Sequence, residues 1–381
     1  MTGTALLVVV LLVVGLAVAL LTLAALIGRR TVRGRTRERA LEPRCRRQAE
    51  DLVFERLVPH PRTAAERRLL RDMLLHHLAL LRGPEADVIV RYLEEAGHID
   101  ELAEQLRTGS ADRRAAAADR LGRSRSSQAV AALSAALTDE REDVRVFAAR
   151  GLAHIGDEAA IGALAAALTA PTRWALAMVA DDLVRLGGAA VPALLGIARR
   201  GDPRSRAAAA RVLGEIGDGR ATDVLIDLLR CADEVDSRTQ AAAALGKTGG
   251  ESAADALRHA LRDPAWEVRA QAAKALGRLG DRRSVRALEH AMPDPNWWVR
   301  VNCGEALARL GEPGLTALRR LTHSNDRYAA DQAWAALTIA QRQHARGGPP
   351  AQTTHARPPH PVGDTAALSP RTSATPRPAL P

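Results

Sequence analysis

The sequence predicts an all-α chain: a single apolar helix able to span a membrane, followed by an α-solenoid of about seven helix pairs. Three observations carry that expectation. First, a unit of about 31 residues recurs between residues 110 and 343, its frame marked by Gly156, Gly187, Gly217, Gly249, Gly280 and Gly311. Self-similarity at this period is the signature of stacked helix pairs. Second, 47% of the residues are hydrophobic but only nine are aromatic (five Trp, two Tyr, two Phe), so Ala and Leu must fill the core, as closely packed helices allow. Third, the run from Ala5 to Ile27 is free of charge and rich in Leu, Val and Ala.

That run of 23 residues is roughly 34 Å of helix, enough for a hydrocarbon core of about 30 Å. No Lys or Arg precedes it and Arg29-Arg30 follow directly, which favours a retained anchor over a cleaved leader. Residues 28–47 form an Arg-rich flank, with Arg29, Arg30, Arg33, Arg35, Arg37 and Arg39 at its heart. Positive flanks stay cytoplasmic, so the N-terminus is expected outside and the repeats in the cytoplasm, as in a single-pass protein of the cell membrane. The net charge of +10 resides in this flank and the tail. Residues 110–341 carry 32 basic against 29 acidic side chains, a balance that gives no footprint for nucleic acid.

Residues 48–109 read as a helical lead-in covering the open end of the solenoid. Pro59 and Pro61 break one helix, and Thr63 with Glu66 makes a capping box for the next, which Gly83-Pro84 ends. His76 and His77 are adjacent and so point about 100° apart, unsuited to chelating one metal. The three cysteines are scattered, in no CxxC spacing, which argues against a thiolate zinc site and a disulfide framework.

Within 110–343 each unit holds a first helix, such as Val268–Leu279, a Gly turn, and a second helix, such as Ser284–Ala291. The turn glycine supplies the left-handed residue that ends a helix. Asp157, Asp218 and Asp281 follow such glycines, where a carboxylate caps the next helix. Arg125 stands in the turn-glycine position of the first copy and Leu176 in the arginine position of the third. The last copy, Tyr328–Ala340, lacks a closing glycine, as a terminal cap does. Residues 344–381 are crowded with Pro, Thr, Ala and Arg and have no periodic apolar face, the composition of a disordered tail.

The frame Asp-x-x-x-x-Val-Arg-x-x-Ala-Ala-x-Ala-Leu-Gly-x-x-Gly-Asp is clearest at Asp263–Asp281 and recurs at Asp139–Asp157 and Asp294–Glu312. It resembles the short HEAT-like repeat of the phycobilisome-lyase type. The resemblance implies the fold of residues 110–341, with an Asp and an Arg per repeat tying each helix start to the neighbouring repeat. It implies no single function, because such repeats serve pigment lyases, hydroxylases, DNA glycosylase relatives and scaffolds. The hydroxylases of this kind use His-Glu dyads as iron ligands. None of the eleven histidines here is followed by Glu, so neither catalysis nor a cofactor is expected.

On a helical wheel of residues 266–278, Trp266, Ala270, Lys274 and Arg278 share one stripe, opposite Val268, Ala272, Ala275 and Leu276. The same stripe in other repeats holds Phe147, Arg150, Trp174, Arg185 and Arg211, then Trp297, Trp298, Asn302, Glu305 and Arg309, and finally Tyr328. Trp and Arg are the residues most enriched at interface hot spots. The expectation is therefore a membrane-anchored cytoplasmic scaffold holding a protein partner along this stripe, with no nucleic acid and no small-molecule substrate.

Overall fold

The computed structural model describes residues 39–168 and 173–345, without the side chains of 173–176 and 343–345. The apolar run 5–27, the flank arginines from Arg29 to Arg37 and the tail from 346 lie outside the described residues, whereas Arg39 is exposed at the start of the first helix. Among the described residues every element is helical, and no helix is long and apolar enough to cross a membrane.

The lead-in comprises α1 (39–50), α2 (Ala64–Leu80), α3 (Pro84–Glu95) and α4 (His98–Thr108). Thr63 caps α2 as expected, accepting from Glu66 N–H on Oγ1 at 3.1 Å, while the Glu66 carboxylate returns to Arg62 N–H at 2.5 Å, one residue before the cap. The helix pairs are then α5 (Ala111–Ser124) with α6 (Val130–Ala136), α7 (Glu142–Ile155) with α8 (Glu158–Ala167), and α9 (Arg173–Leu186) with α10 (Val191–Arg200). They continue as α11 (Pro203–Ile216) with α12 (Thr222–Cys231), α13 (Val235–Thr248) with α14 (Glu251–Ala260), and α15 (Trp266–Leu279) with α16 (Val285–Ala291). α17 (Trp297–Arg309) pairs with α18 (Glu312–Leu321), and α19 (Arg327–Ala345) closes the array.

Odd-numbered helices from α5 onward pack side by side in one layer, which we call A, and even-numbered ones in a second layer, B. The lead-in joins this scheme, with α2 against α5 in the A layer and α4 beside α6 in the B layer. Leu121, Leu152, Leu183, Leu213, Leu245, Leu276 and Leu307 sit between the layers, each fully buried. Their recurrence at one position per repeat is what makes the core continuous. The turns behave as their residues dictate: Gly156, Gly217 and Gly280 take φ near +70°, and Arg125, in the same position, is forced to φ 56°. A left-handed non-glycine residue costs roughly 1–2 kcal/mol. Asp157 caps α8 by accepting from Ala160 N–H at 2.8 Å.

The charged pairs run between repeats. Arg114 donates two bonds to Asp139, at 2.9 and 3.0 Å, and Arg238 and Arg269 grip Asp263 and Asp294 in the same way. Within its own repeat each arginine turns its third nitrogen to backbone carbonyls, as Arg269 Nη1 does to Asp263 O and Pro264 O. Asp294 also accepts Asn296 N–H at 2.8 Å, so its carboxylate holds one turn and one neighbour at once. With both members largely buried (14% and 9% exposed), Asp294→Ala is expected to cost about 2 kcal/mol. Urea unfolding checks this; an unchanged midpoint would show the bridge to be ornamental.

Candidate partner-binding face

From α13 onward each A helix starts with an exposed residue at the same position of its repeat. In the C-terminal half these residues are Val235, Trp266, Trp297 and Tyr328, each 31 residues after the last. Their exposures of 38%, 37%, 36% and 67% are those of large apolar groups left in water at a fixed interval. An aligned row of this kind is how solenoids present a binding surface. Trp297 is braced by Trp298, edge to face at 4.7 Å between ring centres, and Trp298 itself packs on the core. Tyr328 is covered on one side by the Arg300 guanidinium, 5.0 Å from the ring centre. Arg300 occupies the bridging position of Arg269, but the position of Asp294 is taken one repeat on by Asn325. The tyrosine ring thus meets a cation that has no carboxylate in that position.

Several residues assigned to this face from the sequence are wholly or partly covered. Asn302 is buried, 9% exposed, and its amide donates to Trp298 O at 3.0 Å. Phe147 and Trp298 are half-buried against the core, and Lys274, Glu305 and Arg309 are half-buried too. Ala270 is buried outright. The cause is geometric. An A helix has a neighbour on either side and a B helix behind it, so it leaves only a narrow strip to solvent, unlike a surface helix with one covered face. Arg150, Arg185, Arg211 and Arg278 are exposed. Arg185 pairs with Asp182 and Asp181 on its own helix, and Glu305 with Arg309 at 3.9 Å. Burial, then the adjacent Arg278, holds the Lys274 ammonium below its usual range. Trp174 lies in α9, its side chain outside the described residues.

Among the described side chains the face is therefore divided, its exposed groups charged from α7 to α11 and large and apolar at the helix starts from α13 to α19. Beyond Val235, two further exposed side chains of the A layer were not assigned to the face from the sequence: Trp334, 66% exposed, and Ile339, 43%. Both belong to α19, which no further helix among the described residues covers. The signal was available in the missing closing glycine, since a terminal repeat bares the side its successor would bury.

Among the described residues no three His, Cys, Asp or Glu side chains gather as metal ligands. Cys45 and Cys303 are buried, and burial pushes both thiols up; Cys231 is exposed.

Among solved structures, the chain is similar to an engineered protein at 21% identity, over 77% of this chain and 88% of that one, with a TM-score of 0.36. It is also similar to the CpcE–CpcF complex of phycocyanin lyase from a Nostoc species, at 29% identity over 49% of this chain and 99% of that one, TM-score 0.30. Human deoxyhypusine hydroxylase is similar at 21% identity, over 80% and 98%, TM-score 0.30. Scores this low transfer nothing about function. No curated protein matches the sequence. The profile of HEAT repeats matches residues 99–185, 191–266 and 254–338, most of the chain and nearly all of the two-layered array, and the chain belongs to the HEAT-repeat family.

Proposed function

We propose that this chain is a non-catalytic scaffold that holds a protein partner on the A-layer face, chiefly along Val235, Trp266, Trp297 and Tyr328. The apolar run 5–27 tethers it to a membrane, and the flank from Arg29 to Arg39 keeps the repeats on the cytoplasmic side. The observation that carries the reading is the row itself: four large apolar side chains, more than a third exposed, at one position of four successive repeats. Solvent exposure of Trp is a standing cost that burial by a partner relieves, and Trp, Tyr and Arg dominate measured hot spots. The rim of Lys274, Arg278, Glu305 and Arg309 mixes both signs, suiting a polar border around an apolar centre.

Full-length protein captured in detergent from its own membrane tests this. Trp266→Ala, Trp297→Ala and Tyr328→Ala combined should weaken partner retention at least about tenfold while helicity is kept. An unchanged set of co-purifying proteins would remove the face from consideration. Alkaline extraction tests the tether separately: the chain should stay with the membrane and be released when residues 1–28 are deleted.

A further inference from the structure

Three seams between neighbouring A helices, α5–α7, α13–α15 and α15–α17, are tied by an arginine whose nitrogens do two jobs. Nη1 anchors the side chain to its own turn. Arg238 Nη1 donates to Ala232 O and Asp233 O, both at 2.9 Å, and Arg269 Nη1 to Asp263 O and Pro264 O at 2.8 and 3.1 Å. Nε and Nη2 then form a flat fork that takes both oxygens of an aspartate one repeat on. Arg114 holds Asp139 in this way, Arg238 holds Asp263 and Arg269 holds Asp294. The fork matches a carboxylate in shape as well as in charge, which is why two parallel bonds form each time.

Arg300 repeats the anchor without the grip. Its Nη1 donates to Asp294 O at 2.7 Å and Pro295 O at 3.1 Å, the same two steps back along the chain as in Arg238 and Arg269. Its Nε and Nη2 have no hydrogen-bond partner among the described residues, and neither atom is sealed from water. Asn325 lies 31 residues after Asp294, and Ser324 before it takes over the turn. Ser324 Oγ accepts Asp326 N–H at 3.2 Å, as Asp294 accepts Asn296 N–H at 2.8 Å. Neither residue brings a carboxylate. The next acids along the chain are engaged on α19 itself: Asp326 accepts Ala329 N–H at 2.8 Å, and Asp331 faces Arg327 at 3.8 Å. Arg300 is nevertheless only 9% exposed, with the Tyr328 ring centre 5.0 Å from its guanidinium carbon. A cation held this far out of water is stabilised by an anion in its fork. The ring contact uses none of its N–H groups.

We propose that the Arg300 fork is a carboxylate-binding subsite, which takes an aspartate or glutamate side chain of the partner protein beside an apolar residue that covers Tyr328. The chain itself shows what such a fork holds. The same side chain, anchored to the same two carbonyls, carries a carboxylate at Arg238 and Arg269. At α19 the described array keeps the fork and supplies no acid to it. Tyr328, 67% exposed beside the fork, offers the adjoining apolar contact. A bidentate pair has one geometry, so it fixes the register of a bound segment along the row, which apolar contacts alone leave loose. A lysine or arginine at that point of the partner meets a like charge and is rejected. An amide offers one oxygen to two donors and binds less tightly. The subsite belongs to the A-layer face and presupposes that this face holds a protein.

The probe is the end-blocked pentapeptide Ala-Leu-Asp-Leu-Ala, with its Asn counterpart as control. Each is titrated into the full chain in detergent and followed by ligand-observed nuclear magnetic resonance. The Asp peptide should bind at least about tenfold more tightly than the Asn peptide. Ser324→Asp offers the fork a carboxylate from its own chain. It should bring the two peptides to equal affinity and raise the urea midpoint. Arg300→Lys keeps the charge and loses the fork, and should cut the preference to about threefold at unchanged circular dichroism. Equal binding of the two peptides by the unsubstituted chain, or no binding of either, would overturn the subsite. So would a preference that survives Ser324→Asp, since the acid would then be held elsewhere. These results are separate from the fate of the apolar row, which is judged by the co-purifying proteins retained after Trp266→Ala, Trp297→Ala and Tyr328→Ala.

Discussion

Gly277→Val is expected to destabilise the array by about 3 kcal/mol and to raise amide exchange first in α15 and α17. The added Cβ alone would sit 2.7 Å from Ala306 Cα and 2.8 Å from its Cβ. Those obstacles are backbone and its first carbon, which cannot swing aside as a long side chain could. The seam must widen, and Leu276 and Leu307, fully buried beside it, lose contacts as it does. The sign is tested most sharply by Gly277→Ala. Inside a helix that change normally stabilises by about 1 kcal/mol, so any net loss isolates the clash. Gly280→Ala is the contrast. Nothing lies within 4 Å of its would-be Cβ, but its φ is +69°; about 1 kcal/mol of backbone strain is expected there, confined to the end of α15. Urea unfolding followed by hydrogen exchange separates the two. If Gly277→Ala proves as mild as Gly280→Ala, close approach in the A layer is not what holds the repeats together.

The two glycines also show how far the sequence could be read. Gly280 advertises its role, since a glycine closing six successive first helices at intervals of 30–32 residues can only be a turn. Its spacing gave the repeat, the layers and the caps made by Asp157 and Asp218. The Arg–Asp bridge was legible as a link between repeats, although Arg114, Arg238 and Arg269 each grip the aspartate one repeat on. The face was harder. Ala270 and Asn302 share the stripe of Trp266 and Trp297 on a wheel, and neither residue type says whether a neighbouring helix covers it. That depends on how closely the A helices approach, a property of Gly277 and Ala306 rather than of the stripe. Val235 was passed over for lack of an aromatic ring, although it occupies the same position as Trp266. Trp334 is bare because α19 is the last helix among the described residues.

Acidification is expected to loosen the lead-in before the repeats, through His98. This residue opens α4, is 1% exposed, and neither ring nitrogen has a hydrogen-bond partner. Its closest ring neighbour is Tyr92, 6.0 Å away between centres. Burial first, and then the positive Arg67 and Arg71, lower its pKa from 6.5 to about 4, with Asp72 opposing. In the unfolded chain the imidazole takes its proton near pH 6.5; in the folded chain it does so only near pH 4. Between those values the unfolded state binds more protons, so stability rises with pH. The contribution is complete above pH 6.5 and is lost progressively as pH falls to about 4, about 3 kcal/mol in all. His98→Phe keeps the ring against Tyr92 and removes the proton site. Its unfolding midpoint should therefore change less than that of the unsubstituted protein between pH 7 and pH 5, where about 2 kcal/mol of the loss falls. Carboxylates such as Asp139 also respond to acid. Burial opposes ionisation there, but the hydrogen bonds from Arg114 and Arg141 outweigh it and hold the group below its usual range. Its stability is lost as pH falls through that lowered value, beneath the histidine window. Parallel pH profiles for the two proteins would mean that His98 is already protonated, or already solvated, in the fold. Divergence between pH 4 and 6.5 would make the lead-in the acid-labile end of the array, with the repeats beyond α5 surviving it.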